Sequence, residues 1–369
     1  MILEYANQST DSYTTFVTGS NGLLGRWLLP ELTRRGQRVL ALLRAAPARS
    51  QELWSWIESH GGDAARVSFV DGDLDAPRLG LSPSVLGQLQ PIRRIFHLGA
   101  NFRWGLSTQA ARRTNVEGTL QLLELAARLP KLERFVGVGG YRTGERVTAN
   151  GEPYLPDPKE AKRYGPYEAS RREAIQLIRD RAKEFGVAYN LVHPGSVIGD
   201  SRTGESTQLT GIGEFFVALA RGHLPRRVGG PRTFMPLVTV DLVARALAEV
   251  ADDTSFANRE LCLLDPNTPV LDALVDRACR LLRAPAPRTR MPLWLLRTLP
   301  EWLTRAPRES LSFFDDARYV TSDTDAWLAS RGLAHADIGP AFDRWFDALV
   351  SKHAPEARFV GAPQSNVAS

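Results

Sequence analysis

Three regularly spaced glycines form the segment of this sequence with the clearest chemical potential. Gly19, Gly22 and Gly25 follow the apolar run Thr14–Thr18 and begin an apolar-periodic stretch. A strand, a glycine turn and a helix in this order bring backbone N–H groups to the positive end of the helix, which suits a pyrophosphate. An ordinary strand-to-helix turn is the alternative, but this context favours a dinucleotide site. Its predicted contacts are Gly19, Asn21, Gly22, Leu23, Leu24 and Gly25.

The end of the second predicted strand indicates which dinucleotide would bind. An NAD site has an Asp or Glu about 20 residues beyond the glycines, where its carboxylate binds the ribose 2′-hydroxyl. This position holds Arg44, whose guanidinium can form paired hydrogen bonds with a 2′-phosphate. Arg26 or Arg49 could assist it. The sequence therefore predicts NADP(H), although a solvated arginine at a strand end is the alternative.

Two further strand ends supply candidate contacts for the nucleotide. Asp73, with Leu74 after it, can accept a hydrogen bond from the adenine amino group, although an aspartate in a surface turn is the alternative. Gly99 and Ala100 are small enough to let the backbone approach a cofactor. His97, in the same stretch, is predicted to be a packed or locally hydrogen-bonded histidine rather than a ligand.

The elements that must position these residues alternate between strand and helix. Such alternation favours the α/β class, with a Rossmann-type, doubly wound parallel sheet and right-handed crossovers. Pro30 is predicted to kink or shorten the first helix, because proline cannot donate a backbone hydrogen bond. Strands are predicted at 14–18, 38–44, 66–70, 92–98, 135–138 and 188–192, and helices at 23–33, 51–59, 114–129 and 167–185.

Beyond Pro194 the pattern loosens into glycine-rich and threonine-rich loops, which indicates a smaller, mostly C-terminal substrate-binding lobe. The N-terminal region is predicted to form an NADP-binding domain to which a later segment returns. The predicted ranges are 12–198 with a return segment at about 232–265 for this domain, 199–231 and 266–352 for the lobe, and 354–369 for a disordered tail.

Composition excludes several other classes of protein. The 369 residues are 43% apolar, which is enough for a large core. The net charge is +5, but the charges are interspersed, so a nucleic-acid partner is not expected. Two cysteines indicate neither a disulfide framework nor a zinc site, and no metal is predicted. Neither an export signal nor an apolar run long enough to span a membrane is found, so we expect a soluble cytoplasmic protein.

Taken together, these segments resemble the extended short-chain dehydrogenase/reductase superfamily over roughly residues 14–350. The resemblance depends on motifs that occur in the family's order and at its spacing. These motifs are TGSNGLLG at 18–25, Asp73-Leu74, HLGA at 97–100, NVEGT at 115–119 and YEASR at 167–171.

Within the superfamily, three segments resemble the thioester-reductase or male-sterility-like branch. They are 25–28, 193–205 and 234–241. The resemblance implies an NADP(H)-dependent oxidoreductase that reduces a carbonyl compound, which would be an acyl thioester, an aldehyde or a ketone. Its substrate would be a small molecule or an acyl group bound to a carrier or to CoA. Monomer and homodimer both stay open.

The resemblance also implies roles for residues outside the glycine loop. Tyr167 would be the acid/base that gives a proton to the carbonyl oxygen, and it needs a cation beside it because a free tyrosine has a pKa of about 10. Arg171 lies one helical turn later and can supply that charge, although the family normally has lysine here. Asn115 and the segment Pro194-Gly195-Ser196-Val197 would lie against the cofactor.

A second departure from the family lies after the strand at 135–138. The family has a Ser or Thr here that binds the substrate carbonyl, whereas this chain has Gly139-Gly140. Thr143 or Tyr141, the backbone N–H groups of the glycines, or a hydroxyl of the substrate could replace it. Two alternatives therefore remain open: an NADP(H)-binding sensor or partner protein without catalysis, and an epimerase or dehydratase that recycles its cofactor internally.

Overall fold

The structure is a computed structural model. The structure describes residues 12–144, 146–148, 150, 152, 165–209, 211–300 and 309–358.

A seven-stranded sheet forms the centre of the molecule, and three short strand pairs lie outside it. In chain order the strands are β1 Thr15–Thr18, β2 Val39–Leu43, β3 Val67–Asp71, β4 Arg94–His97, β5 Arg134–Val138, β6 Arg146–Val147, β7 Tyr189–Pro194, β8 Ser196–Ile198, β9 Arg227–Val228, β10 Leu237–Thr239, β11 Arg259–Leu263, β12 Arg290–Met291 and β13 Arg318–Tyr319. The order in the central sheet is β11-β7-β5-β4-β1-β2-β3, and every neighbouring pair is parallel. The short pairs are β8 with β10, β9 with β12, and β6 with β13.

Helices cover both faces of this sheet, which explains why the strands Thr15–Thr18, Val39–Leu43 and Arg134–Val138 are buried at every residue rather than at alternate ones. Val17 packs on one face, against the helices Leu23–Arg34, Ala46–Ser59 and Val240–Asp252. Its neighbour Phe16 packs on the other face, against Gly118–Ala126 and Pro166–Phe185. The α/β, doubly wound arrangement is confirmed. The labelled helices are α1 Leu23–Arg34, α2 Ala46–Ser59, α3 Pro83–Gln88, α4 Thr108–Arg112, α5 Gly118–Ala126, α6 Pro166–Phe185, α7 Ile212–Ala220, α8 Val240–Asp252, α9 Leu271–Leu281 and α10 Leu293–Thr298, and two more helices span Ser322–Ser330 and Ile338–His353.

A second core lies beyond the sheet, where α7, α9 and the helix Ile338–His353 pack together. Phe216 and Phe342 are fully buried in it, with ring centroids 5.0 Å apart. The predicted substrate-binding lobe falls largely on this second core. The packing differs from the predicted boundaries at two places.

The helix Ser322–Ser330 was predicted as part of the substrate-binding lobe but packs on the core of the sheet. Trp327 lies in that core and donates a hydrogen bond from Nε1 to Asp253 Oδ2 at 2.9 Å. The disordered tail was predicted from residue 354, but Ala354 is fully buried and begins a short turn over Pro355–Arg358. Residues 359–369 lie outside the described residues.

The first helix was predicted to be kinked or shortened at Pro30, but it is not shortened. Helix α1 continues through Pro30 and ends at Arg34. The proline has no N–H to donate to the carbonyl of Arg26, four residues earlier. Trp56 Nε1 donates to that carbonyl oxygen instead, at 2.8 Å. A side chain of α2 therefore replaces the missing backbone hydrogen bond.

Candidate active site

A cavity of about 770 Å³ opens at the carboxyl ends of the central strands. Its position agrees with the rule that ligands of open α/β sheets bind where the strand order reverses. Most of the predicted site residues line it, and Arg26 and Asn115 do not. The predicted residues in its wall are Gly19, Asn21, Gly22, Leu23, Leu24, Gly25, Arg44, Asp73, Leu74, Gly99, Ala100, Thr143, Tyr167, Arg171, Pro194, Gly195, Ser196 and Val197.

At one end of the cavity, the glycine loop has no room for a side chain at Gly19 or at Gly25. Gly19 has φ +74°, and a Cβ on it would lie 2.6 Å from the backbone N of Gly99. A Cβ on Gly25 would lie 2.2 Å from the carbonyl oxygen of Gly19. The N-terminus of α1 has no side-chain cap and no acidic residue in its first turn. Backbone N–H groups and the positive end of the helix are thus left for an anionic ligand, and a dinucleotide pyrophosphate fits this cradle.

Two arginines line the cavity near the end of β2. Arg44 follows β2 and Arg49 lies in the first turns of α2, and both are exposed and line the cavity. Among the described residues, neither guanidinium forms an ion pair. Both are therefore available to an anionic ligand.

Arg26, predicted to contact the cofactor, braces the glycine loop from behind. Its Nε donates to Asn21 Oδ1 at 3.1 Å, and its Nη2 donates to Glu52 Oε1 at 2.6 Å. The carboxylate on α2 draws the guanidinium away from the cavity, and the sequence alone gave no indication of this pairing.

Asn115 also supports the site rather than lining it. It lies in a π-helical turn at Arg113–Glu117, between α4 and α5, and is fully buried. Its Oδ1 accepts from the backbone N of Asn101 at 2.8 Å, and its Nδ2 donates to Ser170 Oγ at 2.9 Å. Asn115 therefore ties the loop after β4 to the helix that carries Tyr167.

His97 is packed in the structure, with 2% of its surface exposed. Its Nδ1 lies 2.8 Å from Thr18 Oγ1 and its Nε2 lies 2.8 Å from Thr119 Oγ1. Burial, with a smaller effect of the charge of Arg171, lowers the pKa of His97 to about 3. The ring is therefore neutral, and it links β4 to β1 and to α5 next to the glycine loop.

Tyr167 and Arg171 lie together on α6 in the wall of the cavity. Burial raises the pKa of Tyr167, and the negative charge of Glu168 raises it further. The positive charge of Arg171 and a hydrogen bond from Arg171 oppose this rise. Arg171 is buried and donates from Nη2 to the carbonyl oxygen of Val138. Its Nε has no partner among the described residues, which leaves a buried donor at the cavity for a ligand.

The two glycines after β5 differ in their surroundings. A Cβ on Gly139 would lie 2.2 Å from His193 Nδ1, so the histidine ring occupies the space that a serine at Gly139 would need. Gly140 has extended backbone angles, φ −137° and ψ 147°, and no atom lies within 4 Å of its Cβ position. Only Gly140 could therefore carry a side chain into the cavity.

Thr143 lies one short turn beyond these glycines and lines the cavity. Its Oγ1 donates to the carbonyl oxygen of Gly140 at 2.8 Å and lies 2.9 Å from His193 Nδ1. The ring continues this contact, because His193 Nε2 lies 2.9 Å from Glu260 Oε2. His193 lies in a segment that resembles the family, but neither it nor Glu260 was predicted to take part in the site. The two residues lie on adjacent strands but 67 residues apart.

The ring of Tyr141, the other candidate donor, packs in a small hydrophobic cluster with Phe234, Leu264 and Tyr319. The side chain is 5% exposed and packs edge-on against Tyr319, with ring centroids 5.2 Å apart. Its hydroxyl donates to the carbonyl oxygen of Phe313 at 3.5 Å. Burial raises the pKa of Tyr141 well above that of a free tyrosine.

An aromatic wall leads from Tyr167 into the far half of the cavity. Phe102 packs edge-on against Tyr167, with ring centroids 4.5 Å apart, and Trp104 joins Phe102 to Phe313. Trp104 also donates from Nε1 to Glu214 Oε2 on α7 at 3.3 Å. The rest of this half is mainly apolar and is lined by Ile212, Phe215, Ala218, Leu224, Val228, Met235, Leu296, Leu311 and Phe314.

Within the described ranges, no group of three or more His, Cys, Asp or Glu side chains is placed to hold a metal ion. Both cysteines, Cys262 and Cys279, are free thiols. In the same part of the chain, no helix combines the length and the apolar character needed to cross a membrane.

Residues 17–247 match the family model described as male sterility protein. The chain is 29% identical over 269 residues to the L-2-aminoadipate reductase large subunit of Penicillium chrysogenum, which covers 66% of this chain and 18% of that protein. It is 28% identical over 277 residues to an aldehyde reductase of Aspergillus flavus, which covers 68% of this chain and 26% of that protein. The chain thus spans only a minor part of the length of these relatives.

Among solved structures, the fold is similar to the terminal R domain from the myxalamid PKS-NRPS biosynthetic pathway. The TM-score is 0.74 at 22% identity, over 93% of this chain and 92% of that one. A UDP-glucose 4-epimerase of Thermotoga maritima has a TM-score of 0.60 at 14% identity, over 92% and 99%. At these identities the structures show a shared fold.

Proposed function

Because this chain belongs to the male sterility protein family of NAD(P)-binding proteins, we propose that it is an NADP(H)-dependent reductase of acyl thioesters or aldehydes. One observation carries the proposal: one cavity joins the tightly packed glycine cradle to Tyr167 and to a chamber lined mainly by apolar side chains. The names of the relatives, an aminoadipate reductase and an aldehyde reductase, support this substrate class.

The preference for NADP(H) is proposed from Arg44 and Arg49. Both guanidiniums are exposed at the cavity beyond β2. A 2′-phosphate would receive paired, charge-assisted hydrogen bonds there, whereas an NAD ribose would find no carboxylate to accept from its 2′-hydroxyl.

In the proposed reaction Tyr167 donates a proton to the carbonyl oxygen. When bound, the reduced nicotinamide supplies the hydride to the carbonyl carbon. For a thioester, the tetrahedral adduct then returns its hydroxyl proton to Tyr167 and expels a thiolate, which takes a proton from solvent. One thioester, one NADPH and one proton thus give an aldehyde, a thiol and NADP⁺. Arg171 favours the anionic form of Tyr167 between these two transfers, because its positive charge lies one turn away.

The cofactor proposal is tested by the affinity of an Arg44→Ala variant. We expect its Kd for NADPH to rise by about 10–100-fold, because a charge-assisted hydrogen bond contributes about 1.5–3 kcal/mol. Its Kd for NADH should change little. The measurement is a fluorescence titration with both nucleotides, and Arg280→Ala, on an exposed face of α9, is the control. Equal loss of both nucleotides would contradict NADP(H) selectivity.

Turnover itself separates the reductase from the two alternatives. A reductase consumes NADPH in proportion to substrate, which the absorbance of the reduced nicotinamide records over a panel of aldehydes, ketones and acyl thioesters. An epimerase or dehydratase would convert substrate without net consumption of NADPH, and a sensor would bind NADPH and convert nothing. Either result would overturn the proposed function.

The apolar chamber is proposed to bind an apolar chain attached to the carbonyl. Ala218 lies in its wall on α7, so Ala218→Phe should fill the space that the far end of a chain needs. We expect the KM for octanal to rise about tenfold and that for propanal to stay nearly unchanged, because displacing a methylene from an apolar pocket costs about 1–3 kcal/mol. The control is Ala273→Phe, at an exposed position of α9. Equal effects on both aldehydes would contradict this placement.

A further inference from the structure

The contact between Thr143 and His193 belongs to a longer chain of hydrogen bonds that runs outwards from the cavity. Thr143 lies at its inner end, and His193, which is 2% exposed, lies in the middle. Arg179 holds the outer end by donating from Nε and Nη2 to the two carboxylate oxygens of Glu260, each at 2.7 Å. The paired contacts fix the carboxylate, and the carboxylate fixes the ring.

The charges along this chain are determined by the groups that face the ring. Burial acts to raise the pKa of Glu260, but hydrogen bonds from Arg179 and His193 lower it to about 2, so Glu260 is ionised. Burial lowers the pKa of His193, and the positive charges of Arg179 and Arg171 lower it further. The hydrogen bond with Glu260 and the charge of Glu260 oppose this lowering without reversing it. Cys262, the register partner of His193 on β11, is neutral, because burial raises the pKa of its thiol to about 12.

A count of protons shows that the chain has two states. Three contacts need a proton each: Thr143 Oγ1 to the Gly140 carbonyl, Thr143 Oγ1 with His193 Nδ1, and His193 Nε2 with Glu260. A threonine hydroxyl and a neutral imidazole bring only two protons. With neutral His193, Nε2–H donates to Glu260 and the hydroxyl proton turns to Nδ1. With protonated His193, Nδ1–H donates to Thr143, and the hydroxyl proton is free to point elsewhere.

We propose that Thr143 donates to the substrate's carbonyl oxygen the hydrogen bond that Gly139-Gly140 cannot provide, and that His193, held by Glu260, is the positioning residue that turns the hydroxyl towards the cavity. This inference rests on the proposed reductase function. Thr143 lies one turn from the glycines, and when His193 is protonated the Thr143 hydroxyl can donate to the carbonyl oxygen of Gly140, 2.8 Å away. The Cβ direction of Gly140 is open. A substrate oxygen would replace the Gly140 carbonyl as the acceptor.

The first test is Thr143→Val, which removes the hydroxyl but keeps the branched shape. At a pH low enough to protonate His193, with octanal and with the octanoyl thioester of N-acetylcysteamine, we expect kcat/KM to fall about 10²-fold, as when one oxyanion donor is lost. The Kd for NADPH should not change. Thr143→Ser should keep most of the activity. Unchanged kcat/KM in Thr143→Val would overturn the inference, and so would a loss confined to the thioester, which would place the hydroxyl at the leaving sulfur.

A second test asks whether the function of the hydroxyl can be restored from the neighbouring glycine. In the Thr143→Val background, Gly140→Ser adds a hydroxyl in open space and should recover at least about tenfold of the lost kcat/KM, part of the effect of one such donor. Gly139→Ser is the matched contrast, because its Cβ would lie 2.2 Å from His193 Nδ1. No recovery in the Gly140 variant, with NADPH binding intact, would contradict a donor at this place.

A third test isolates the positioning role of His193 through pH. Because the hydroxyl donates to the cavity when His193 is protonated, kcat/KM for reduction should rise as pH falls. Burial lowers the pKa of His193, so the midpoint of this rise should lie below the usual histidine pKa of about 6.5. His193→Asn should remove this rise, because an amide does not titrate. Long-range ¹H–¹⁵N spectra of histidine-labelled protein should show Nε2–H alone at pH 7.5 and protonation at the kinetic midpoint.

These results separate the inference from the proposed function. Turnover by the wild-type protein with a flat pH profile, or with Nδ1–H at pH 7.5, would overturn the inference and leave the reductase standing. Absence of both NADPH binding and turnover in the wild type would overturn both.

Discussion

We expect Tyr167→Phe to lower kcat for reduction by about 10³-fold, within the range of about 10²–10⁴ that general acid catalysis contributes. The substitution removes only the hydroxyl that donates the proton. The ring should still pack edge-on against Phe102, whose centroid lies 4.5 Å away. The Kd for NADPH should therefore stay within about twofold of the wild-type value, since a change of below about 0.5 kcal/mol is usual where no specific contact is lost.

The measurement combines single-turnover oxidation of NADPH by octanal with a fluorescence titration of NADPH. Tyr189→Phe is the matched control, because Tyr189 begins β7 and does not line the cavity. Wild-type turnover that persists in Tyr167→Phe would remove Tyr167 from the mechanism. Parallel loss of turnover and NADPH binding would instead assign it a structural role.

The raised pKa of Tyr167 also fixes the sign of a pH dependence. In the proposed reaction, reduction uses the neutral phenol of Tyr167. Burial raises the pKa of this phenol against the opposing charge of Arg171. The phenol therefore stays protonated through neutral and mildly alkaline pH, so Tyr167 gives reduction no alkaline decline below about pH 10, the usual tyrosine pKa. Oxidation of the corresponding alcohol needs the phenolate, so its rate should rise about tenfold per pH unit over this range.

The second large effect is expected at the glycine loop, where Gly25→Ala should weaken NADPH binding by about 10²–10⁴-fold. A Cβ at this position would lie 2.2 Å from the carbonyl oxygen of Gly19 and 2.7 Å from Ser20 Cα. Both neighbours are backbone, so the loop must move away from the N-terminus of α1. Losing two charge-assisted contacts with the pyrophosphate would cost about 3–6 kcal/mol.

The control for this variant is Gly87→Ala on α3, where nothing lies within 4 Å of the added Cβ. That substitution should leave NADPH binding unchanged and keep or slightly raise Tm, because alanine is favoured over glycine in a helix. Calorimetry and NADPH titration of both variants provide the comparison. Normal NADPH affinity in Gly25→Ala would show that the cradle is not the pyrophosphate site.

Arg171 explains why the departure from the family's lysine is compatible with the fold. A lysine would hold a point charge near Tyr167, whereas the guanidinium also reaches the carbonyl oxygen of Val138. Arg171 thereby ties α6 to the end of β5, directly before Gly139. The charge beside Tyr167 and the position of the glycine pair are thus linked through one side chain.

The sequence by itself determined the features that depend on local spacing. Gly19 and Gly22 lie between a strand and a helix, and Gly25 lies in the first turn of that helix. The first strand, the glycine turn, the first helix and the parallel sheet therefore followed from the order of residues. Tyr167 and Arg171 are four residues apart on one helix, which fixes their proximity without any tertiary contact.

Only the tertiary structure decided contacts between residues far apart in the chain. Arg26 turns to Glu52, Trp56 donates to the carbonyl freed by Pro30, and Trp327 carries a predicted lobe helix onto the sheet core. None has a sequence signature, because a side chain takes the nearest partner that packing supplies.

The clearest case is the chain from Thr143 through His193 to Glu260. Its members come from a turn and two adjacent parallel strands, separated by 50 and 67 residues. The register of β7 with β11 sets the distance between the ring and the carboxylate, and the space above Gly139 sets the position of the ring. Local spacing predicted the glycine cradle and Tyr167. Strand register and excluded volume, in contrast, decided that His193 and Glu260 lie behind Thr143.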